Sequence, residues 1–467
     1  METRIVVATM VLFTLVAASS HAATPEPNSF AICNSSGEQT WPAISGRYVV
    51  WQDFRLNNKY NIYRNDPAND SNTTGVAIAY KSNAHQKFPA ISGTMVVWED
   101  FRTATNSPNI YTYNLPSGPA TALNLIIGDQ TYPAISGTNI VWQDTYTDAG
   151  DIYCNGTPSG VCVLGLEQSY PAISGNIVVW QDYRNENWDI YGKNIQAGTN
   201  LVIKQLSGSD QCNPAVSDNN VVWQDSRNGG WDIYGKDIDG QEFEICKYAG
   251  RDQINPAISG DIVVWEDYRN GTSNADIYGC RISTKEVFAI CKSAGNQKNP
   301  AIDGNFVVWE DYRFDGSGDI YGAYIAAPST ITVLDPNGGE MLLAGSKYLI
   351  KWQSSGSINR VKIEDSNDNG QTFSIIDANV TNNSNGNSEY LWMLPADANS
   401  DQYRIRISDK NNADTNDISN NVFTIFKCDA ALTADLSGDC YVDFEDFVIF
   451  GRQWLTCGNL RNPNWCQ

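Results

Sequence analysis

The chain has 467 residues, enough for two or three domains, and carries 53 acidic against 31 basic side chains for a formal charge of -22. That acid excess argues against nucleic acid or an anionic lipid surface as a partner. Eleven cysteines are an odd number, so at least one has no partner within the chain.

Residues 1–22 read as a secretory signal: Arg4, an apolar run from Ile5 to Ala18, then the small-residue cleavage site Ser20-His21-Ala22. The run is shorter than the roughly 20 residues a spanning helix needs, and no other stretch could span a membrane. The expectation is an exported protein, secreted, extracellular or held at the cell surface, with the periplasm also open. In such a compartment the cysteines suggest disulfides.

From 28 to 325 one unit recurs seven times, anchored on Trp51, Trp98, Trp142, Trp180, Trp223, Trp265 and Trp309 at spacings of 38 to 47 residues. The copy Asn255-Pro256-Ala257-Ile258-Ser259-Gly260-Asp261-Ile262-Val263-Val264-Trp265-Glu266-Asp267-Tyr268-Arg269, followed by Asp276-Ile277-Tyr278, is representative. Pro256–Ser259, Ile262–Trp265, Asp276–Ile282 and Val287–Cys291 read as four short strands, and no copy has a helical period. Four antiparallel strands repeated radially predict an all-β fold, a seven-bladed β-propeller. The seventh copy lacks a fourth strand, while Phe30-Ala31-Ile32-Cys33 matches Phe288-Ala289-Ile290-Cys291. The N-terminal strand is therefore predicted to complete the last blade and leave no open edge.

Residues present in every copy read as scaffold. Aspartates two residues after each Trp, from Asp53 to Asp311, and the arginines that follow in six copies are expected to pair within a blade. The Trp and the Tyr of Asp-Ile-Tyr are expected to pack between blades, and a Gln recurring from Gln39 to Gln297 also reads as scaffold. Residues that break the pattern are more informative. Just before the Pro of each inner strand stand Trp41, Phe88, Tyr132 and Tyr170 in blades one to four, but Asn213, Asn255 and Asn299 in blades five to seven. These positions are predicted to line one mouth of the central channel, joined on that face by Tyr60, Trp188 and Trp231 from the loops between second and third strands. Aromatics opposed by amides fit two readings: a surface that stacks sugar rings and hydrogen-bonds their hydroxyls, or packing against neighbouring loops. Strand geometry suggests disulfides between Cys154 and Cys162 and between Cys280 and Cys291.

With Pro-Ala-Ile-Ser-Gly and Val-Val-Trp-x-Asp repeated over about Phe30 to Ile325, the chain resembles the TolB-like β-propellers of exported and cell-surface proteins. That resemblance implies a protein-interaction or carbohydrate-associated module. Some related propellers are oligogalacturonate lyases that hold a divalent metal with a histidine cluster, which the single His85 left after signal removal cannot build.

Residues 326–330 form a linker, and 331–427 change to about seven alternating apolar runs that predict a β-sandwich. Asp335-Pro336-Asn337-Gly338-Gly339-Glu340 resembles the Ig-like or fibronectin-like spacers of secreted proteins. In the last segment, 428–467, Asp435, Ser437, Asp439, Tyr441 through its carbonyl, Asp443 and Asp446 place oxygens at positions one, three, five, seven, nine and twelve of a loop that suits calcium. A helix follows with Phe447, Phe450 and Trp454 on one side. This small α calcium-loop module resembles half of a type I dockerin, which implies a cohesin-like partner; Cys440 stands where the turn prefers Gly, and no second loop follows Leu455. Cys428, Cys440, Cys457 and Cys466 are expected to pair among themselves.

The functional expectation is a binding or scaffold protein, its propeller face recognising polysaccharide or a cell-surface protein and its tail binding calcium. The alternative is a polysaccharide-degrading enzyme on the channel mouth, a paired-carboxylate glycosidase or a lyase, since two acids roughly 5 to 10 Å apart suffice for a glycosidase.

Overall fold

The computed structural model describes residues 29–457 except 71, 103–106, 124–127, 147–149, 315, 357, 385, 414, 428–433 and 437–441. The expected signal at 1–22 lies outside the described residues. The chain divides into two compact units, Met1–Ile325 and Ala326–Gln467.

The first unit contains seven four-stranded antiparallel sheets. Blade six shows the pattern: Gln253–Ser259 innermost, then Ile262–Asp267, Asp276–Arg281 and Glu286–Cys291 outermost. The run Ile262–Trp265 is continuously apolar because both faces of a blade are buried. Val263 and Trp265 pack with Val222 and Ile233 of blade five, whereas Val264 packs with Val307 and Trp309 of blade seven. Alternate side chains thus knit a blade to its two neighbours, and each fully buried Val or Ile stabilises the ring by roughly 2 kcal/mol.

The ring closes as predicted. Phe30–Cys33 pairs antiparallel with Asp319–Tyr324, so the last blade takes one strand from the start of the chain and three from its end. Innermost strands meet their neighbours all the way round, Gln39–Ser45 lying against Gln297–Asp303. At the turn end of these strands each Ser accepts the backbone N–H of the next blade's turn, from Ser45 with Gly93 at 2.9 Å to Ser259 with Gly304 at 2.9 Å. In the seventh blade Asp303 replaces the Ser and accepts from Gly46, which completes this circle of latches.

A polar column runs inside each blade. The Asp267 carboxylate, fully buried, accepts from Trp265 Nε1 at 2.8 Å, from Arg269 N at 2.9 Å and from Arg269 Nε at 2.8 Å. The Arg269 guanidinium in turn lies 4.0 Å from the ring centre of Tyr278. Charge-assisted bonds of this kind keep a buried carboxylate from being left unpaired. Blade three has Tyr146 in place of the Arg, and there Asp144 accepts from the Tyr146 backbone at 3.0 Å.

The recurring Gln is buried in every blade and, as Gln39 does to Gly37 at 2.9 Å, donates to a carbonyl two residues back in six of them.

In the second unit a three-stranded sheet of Thr330–Asp335, Lys347–Ser355 and Gly386–Met393 lies with a larger sheet built on Arg360–Ser366, Ser400–Asp409 and Phe423–Phe426. Both contribute to one core, including Trp352, Ile363, Trp392, Ile405 and Phe423. The helix α1, Phe444–Cys457, begins within the last three positions of the expected loop.

Candidate functional site

Each innermost strand carries a bulge at the same place. In blade six Ile254 pairs with Glu266 and Ala257 with Val264, so Asn255 and Pro256 together stand opposite Trp265. The extra residue takes a left-handed conformation, and all seven equivalents do so: Trp41, Phe88, Tyr132, Tyr170, Asn213, Asn255 and Asn299 have φ between 48° and 54°. Asn tolerates this region because its short polar side chain bonds locally, but for a bulky aromatic it is an outlier that costs about 1–2 kcal/mol.

The bulges bring these seven side chains together around one cavity of about 330 Å³, backed by the seven prolines that follow them. The four aromatics form a continuous arc. Trp41 meets Phe88 edge-on at 4.8 Å, Phe88 meets Tyr132 at 5.4 Å, and Tyr132 meets Tyr170 at 4.4 Å between ring centres. The amides complete the circle: Asn213 Nδ2 donates to Asn255 Oδ1 at 2.7 Å, Asn255 Nδ2 to Glu266 at 2.7 Å, and Asn299 Nδ2 to Glu310 at 2.7 Å.

Beneath the mouth lies a ring of acceptors that sequence reasoning passed over. The residue between Trp and Asp in each copy is Gln52, Glu99, Gln143, Gln181, Gln224, Glu266 or Glu310. In six of the seven seams its side-chain oxygen accepts the backbone N–H of the bulge residue in the next blade, as Gln52 does from Phe88 at 3.0 Å and Glu310 from Trp41 at 2.6 Å. The signal was present, since every copy has an amide or carboxylate of the same length there. Burial raises the carboxyl groups: Glu99 is pushed up to about 7, and Glu266 and Glu310 move in the same direction against the donors around them.

Three predicted mouth residues do not line the cavity. The Tyr60 hydroxyl donates to Glu38 at 2.5 Å, and burial with that carboxylate holds its pKa well above the usual phenol range. The Trp188 and Trp231 backbones are pinned by Asp210 and Asp252, each at 3.0 Å, and the Trp188 ring lies 5.1 Å from Tyr183. His85 sits beside Tyr60, its Nδ1 accepting the Tyr60 N–H at 3.2 Å; burial with Lys59 and Lys87 depresses its pKa.

Both expected disulfides are corrected. Cys154, Cys162, Cys280 and Cys291 are free thiols, buried or nearly so. The turn after Arg281 holds four residues, with Arg281 opposite Glu286, so Cys280 faces Val287 and Cys291 faces Ile277 across a register shift. Likewise Cys154 pairs with Thr157, while Cys162 stands opposite Ile152. Cys291, Cys33 and Cys246 instead contact the Arg of the adjacent blade, at 3.5, 3.1 and 3.3 Å. The pairings expected among Cys428, Cys440, Cys457 and Cys466 involve positions outside the described residues or side chains.

Of the calcium-loop residues, Ser437, Asp439 and Tyr441 lie outside the described residues. Asp446 is buried and closes the loop, its Oδ1 accepting from Leu436 N at 2.7 Å and its Oδ2 from Asp443 N at 2.8 Å. Asp443 caps α1 by accepting from Glu445 N at 2.7 Å. Phe444, Phe447 and Phe450 are exposed along the helix. Among the described residues no cluster of three or more His, Cys, Asp or Glu has metal-site geometry, and no helix is long and apolar enough to cross a membrane.

The sheet topology defines the first unit as a seven-bladed β-propeller closed by its N-terminal strand. No family model matches the chain, and no curated protein does. Among solved structures it is similar to a putative TolB from Agrobacterium tumefaciens, at 17% identity and TM-score 0.37 over 64% of this chain and 97% of that one. It is also similar to the β-propeller domain of the Trilobed protease from Pyrococcus furiosus, at 13% identity and TM-score 0.48 over 63% and 94% of the two chains. A prolyl endopeptidase matches at 9% identity and TM-score 0.48 over 68% of this chain, which spans about half, 53%, of that protein's length.

Proposed function

We propose that this is an exported binding protein in which the ring of bulge residues forms the ligand site and engages a polysaccharide. The observation that carries the reading is the choice of aromatics at four positions with φ between 49° and 54°. Asn serves the backbone there in the other three blades, so Trp41, Phe88, Tyr132 and Tyr170 are strained without a backbone reason. Strain of this kind clusters at ligand clamps, and an aromatic arc facing amides suits the apolar faces and hydroxyls of sugar rings. The two-sheet unit is read as a sandwich-type spacer, and the tail as a dockerin-like calcium module that attaches the protein to a surface or complex. Its all-oxygen donor set suits a hard cation, with Asp435, Asp443 and Asp446 among the residues that would hold it.

Binding without catalysis is favoured over hydrolysis. The carboxylates that break the seven-fold pattern at the mouth, Glu99, Glu266 and Glu310, are buried and committed to the backbone N–H groups of Tyr132, Asn299 and Trp41. A paired-acid glycosidase needs two carboxyl groups that reach the scissile bond. The test is to apply the mature protein to a polysaccharide panel and record both retention and new reducing ends. Retention without cleavage that falls in Tyr132→Asn supports the reading; new reducing ends, or no retention on any glycan, would overturn it.

A further inference from the structure

The aromatic and amide halves of the mouth meet at two junctions of the same composition. Trp41 of blade one stands next to Asn299 of blade seven, and Tyr170 of blade four next to Asn213 of blade five. These two end rings are the exposed ones of the arc, Trp41 at 39% and Tyr170 at 37%.

The amides at the junctions are oriented by their partners. Glu310 is approached only by donors, the Trp41 N–H, the Asn299 amide and the Tyr312 hydroxyl at 3.0 Å. Asn299 therefore turns its Nδ2 toward the carboxylate. Glu266 is enclosed in the same way by Asn299 N, Asn255 Nδ2 and the Tyr268 hydroxyl. Asn213 turns its Nδ2 to Gln224 Oε1 and Asn255 Oδ1, at 3.1 and 2.7 Å. Asn255 Oδ1 is thereby occupied, whereas among the described residues no donor reaches the carbonyl oxygens of Asn299 and Asn213, which lie in the same cavity as the exposed rings. None of the fourteen residues lining that cavity is a Lys, Arg or His. Lys298 stands opposite Glu310 in the strand register and its charge acts on Glu266, but it is not in the lining.

An open aromatic face, an unengaged carbonyl oxygen and a buried carboxylate at one corner form a cation site. We propose that the mouth selects amino sugars in their protonated form, the ammonium group donating to Asn299 Oδ1 beside the Trp41 ring and above Glu310, with the pyranose ring lying against the aromatic arc. The cavity of about 330 Å³ is at the lower end of pockets that hold small ligands, which suits one sugar unit. A lysine side chain offers the same charge but has no use for an arc four rings wide. The inference rests on the binding role of the mouth proposed above and adds the charge of the ligand.

An acidic protein attracts any polycation, so the test compares short probes and uses substitutions already present in other blades. Gln occupies the Glu310 position in four blades and makes the same bond to the bulge N–H in three of them; Asn occupies the Trp41 position in three. Glu310→Gln and Trp41→Asn are thus compatible with the blade. The full chain is titrated calorimetrically at physiological ionic strength with hexamers of glucosamine, N-acetylglucosamine and glucose. The expected result is binding of the glucosamine hexamer at least tenfold tighter than the other two, with that ratio falling about tenfold in Glu310→Gln and disappearing in Trp41→Asn. Equal affinity for charged and neutral hexamers would overturn the inference and leave the mouth a sugar site. A preference for glucosamine that survives both substitutions would overturn it as attraction to the acidic surface. No binding by any hexamer would overturn it together with the sugar reading.

Discussion

The backbone N–H of Trp41 donates to Glu310 at 2.6 Å across 269 residues of sequence. The same seam is held at the opposite end of the channel by Gly46 donating to Asp303, while within blade seven Phe30–Cys33 pairs with Asp319–Tyr324. Two fastenings on the seam and one inside the last blade explain how a ring assembled from the two ends of a long segment stays shut. Ile32, 1% exposed, seats the outer strand in a core with Trp51 and Phe306. Ile32→Asp is expected to bury an unpaired charge, cost more than about 3 kcal/mol, and lower the thermal midpoint by several degrees, with new proteolytic cleavage ahead of Gln39. An unchanged midpoint would mean that the N-terminal strand does not close the ring.

The raised carboxyl of Glu99 gives stability a distinct pH dependence. Its pKa is about 7 in the fold against 4.5 unperturbed, because burial outweighs the bond from Tyr132 N. Between those values the folded state binds more protons than the unfolded state, so this contribution to stability is fully present below about pH 4.5 and lost as pH rises through 7. A shift of this size corresponds to roughly 3 kcal/mol. Glu99→Gln, which places the amide found in blade one at Gln52, is expected to remove that slope and to be more stable than the parent at pH 8. Urea denaturation at pH 5 and pH 8 measures both; identical pH dependence in the two proteins would exclude Glu99 as its source.

The Asp columns should differ in strength from blade to blade. Asp267 accepts from Trp265 and from both backbone and side chain of Arg269, whereas Asp144 accepts from Trp142 at a long 3.4 Å and from the Tyr146 backbone. Asp267→Ala leaves a guanidinium and an indole N–H without their acceptor and is expected to cost about 3–5 kcal/mol. Asp144→Ala strands no cation and is expected to cost about 1–3 kcal/mol. Equal losses in denaturant unfolding would show that the Arg contributes nothing.

The propeller was legible because seven imperfect copies separate shared scaffold from local departure. Trp41, Phe88, Tyr132 and Tyr170 stood out against Asn213, Asn255 and Asn299 at one register position, and the bulge converts that register into a ring around the cavity. Tyr60, Trp188 and Trp231 also share one register position, each standing just before Asn61, Asp189 or Asp232 of the third strand, but there the backbone N–H is tied to a side chain of the next blade, His85, Asp210 or Asp252, and the residue stays out of the cavity lining. The disulfide expectation failed on a related point: one register shift and a four-residue turn move Cys280 away from Cys291. The acceptor ring went unread because Gln and Glu differ in charge while offering the same oxygen.

Seven cysteines among the described residues are free, and burial pushes Cys162 and Cys280 up to about 11 and Cys212 and Cys246 up to about 12. Thiols held that high are slow nucleophiles at neutral pH. Alkylation of the native protein at pH 8 is expected to leave these positions unmodified, and alkylation in denaturant without reductant to label all seven, as read by peptide mass mapping. A disulfide-linked Cys280–Cys291 or Cys154–Cys162 peptide would require a different strand register.

The tail allows a direct test of metal binding. Asp446 holds both ends of its loop, through the Leu436 and Asp443 amides, and Asp443 caps α1. A cation held by this loop therefore acts on the same contacts that start the helix, and binding to the folded form alone stabilises it in proportion to the logarithm of one plus the ratio of free ion to Kd. Calcium is expected to raise the helical circular dichroism signal and to bind with measurable heat. Asp446→Ala is expected to weaken affinity at least tenfold, because it removes a ligand and frees the loop ends together, whereas Glu445→Ala, outside the ligand positions, changes it little. Calcium affinity that is unaltered in Asp446→Ala would put the ion elsewhere in the chain and would remove the physical basis for reading the tail as a calcium module.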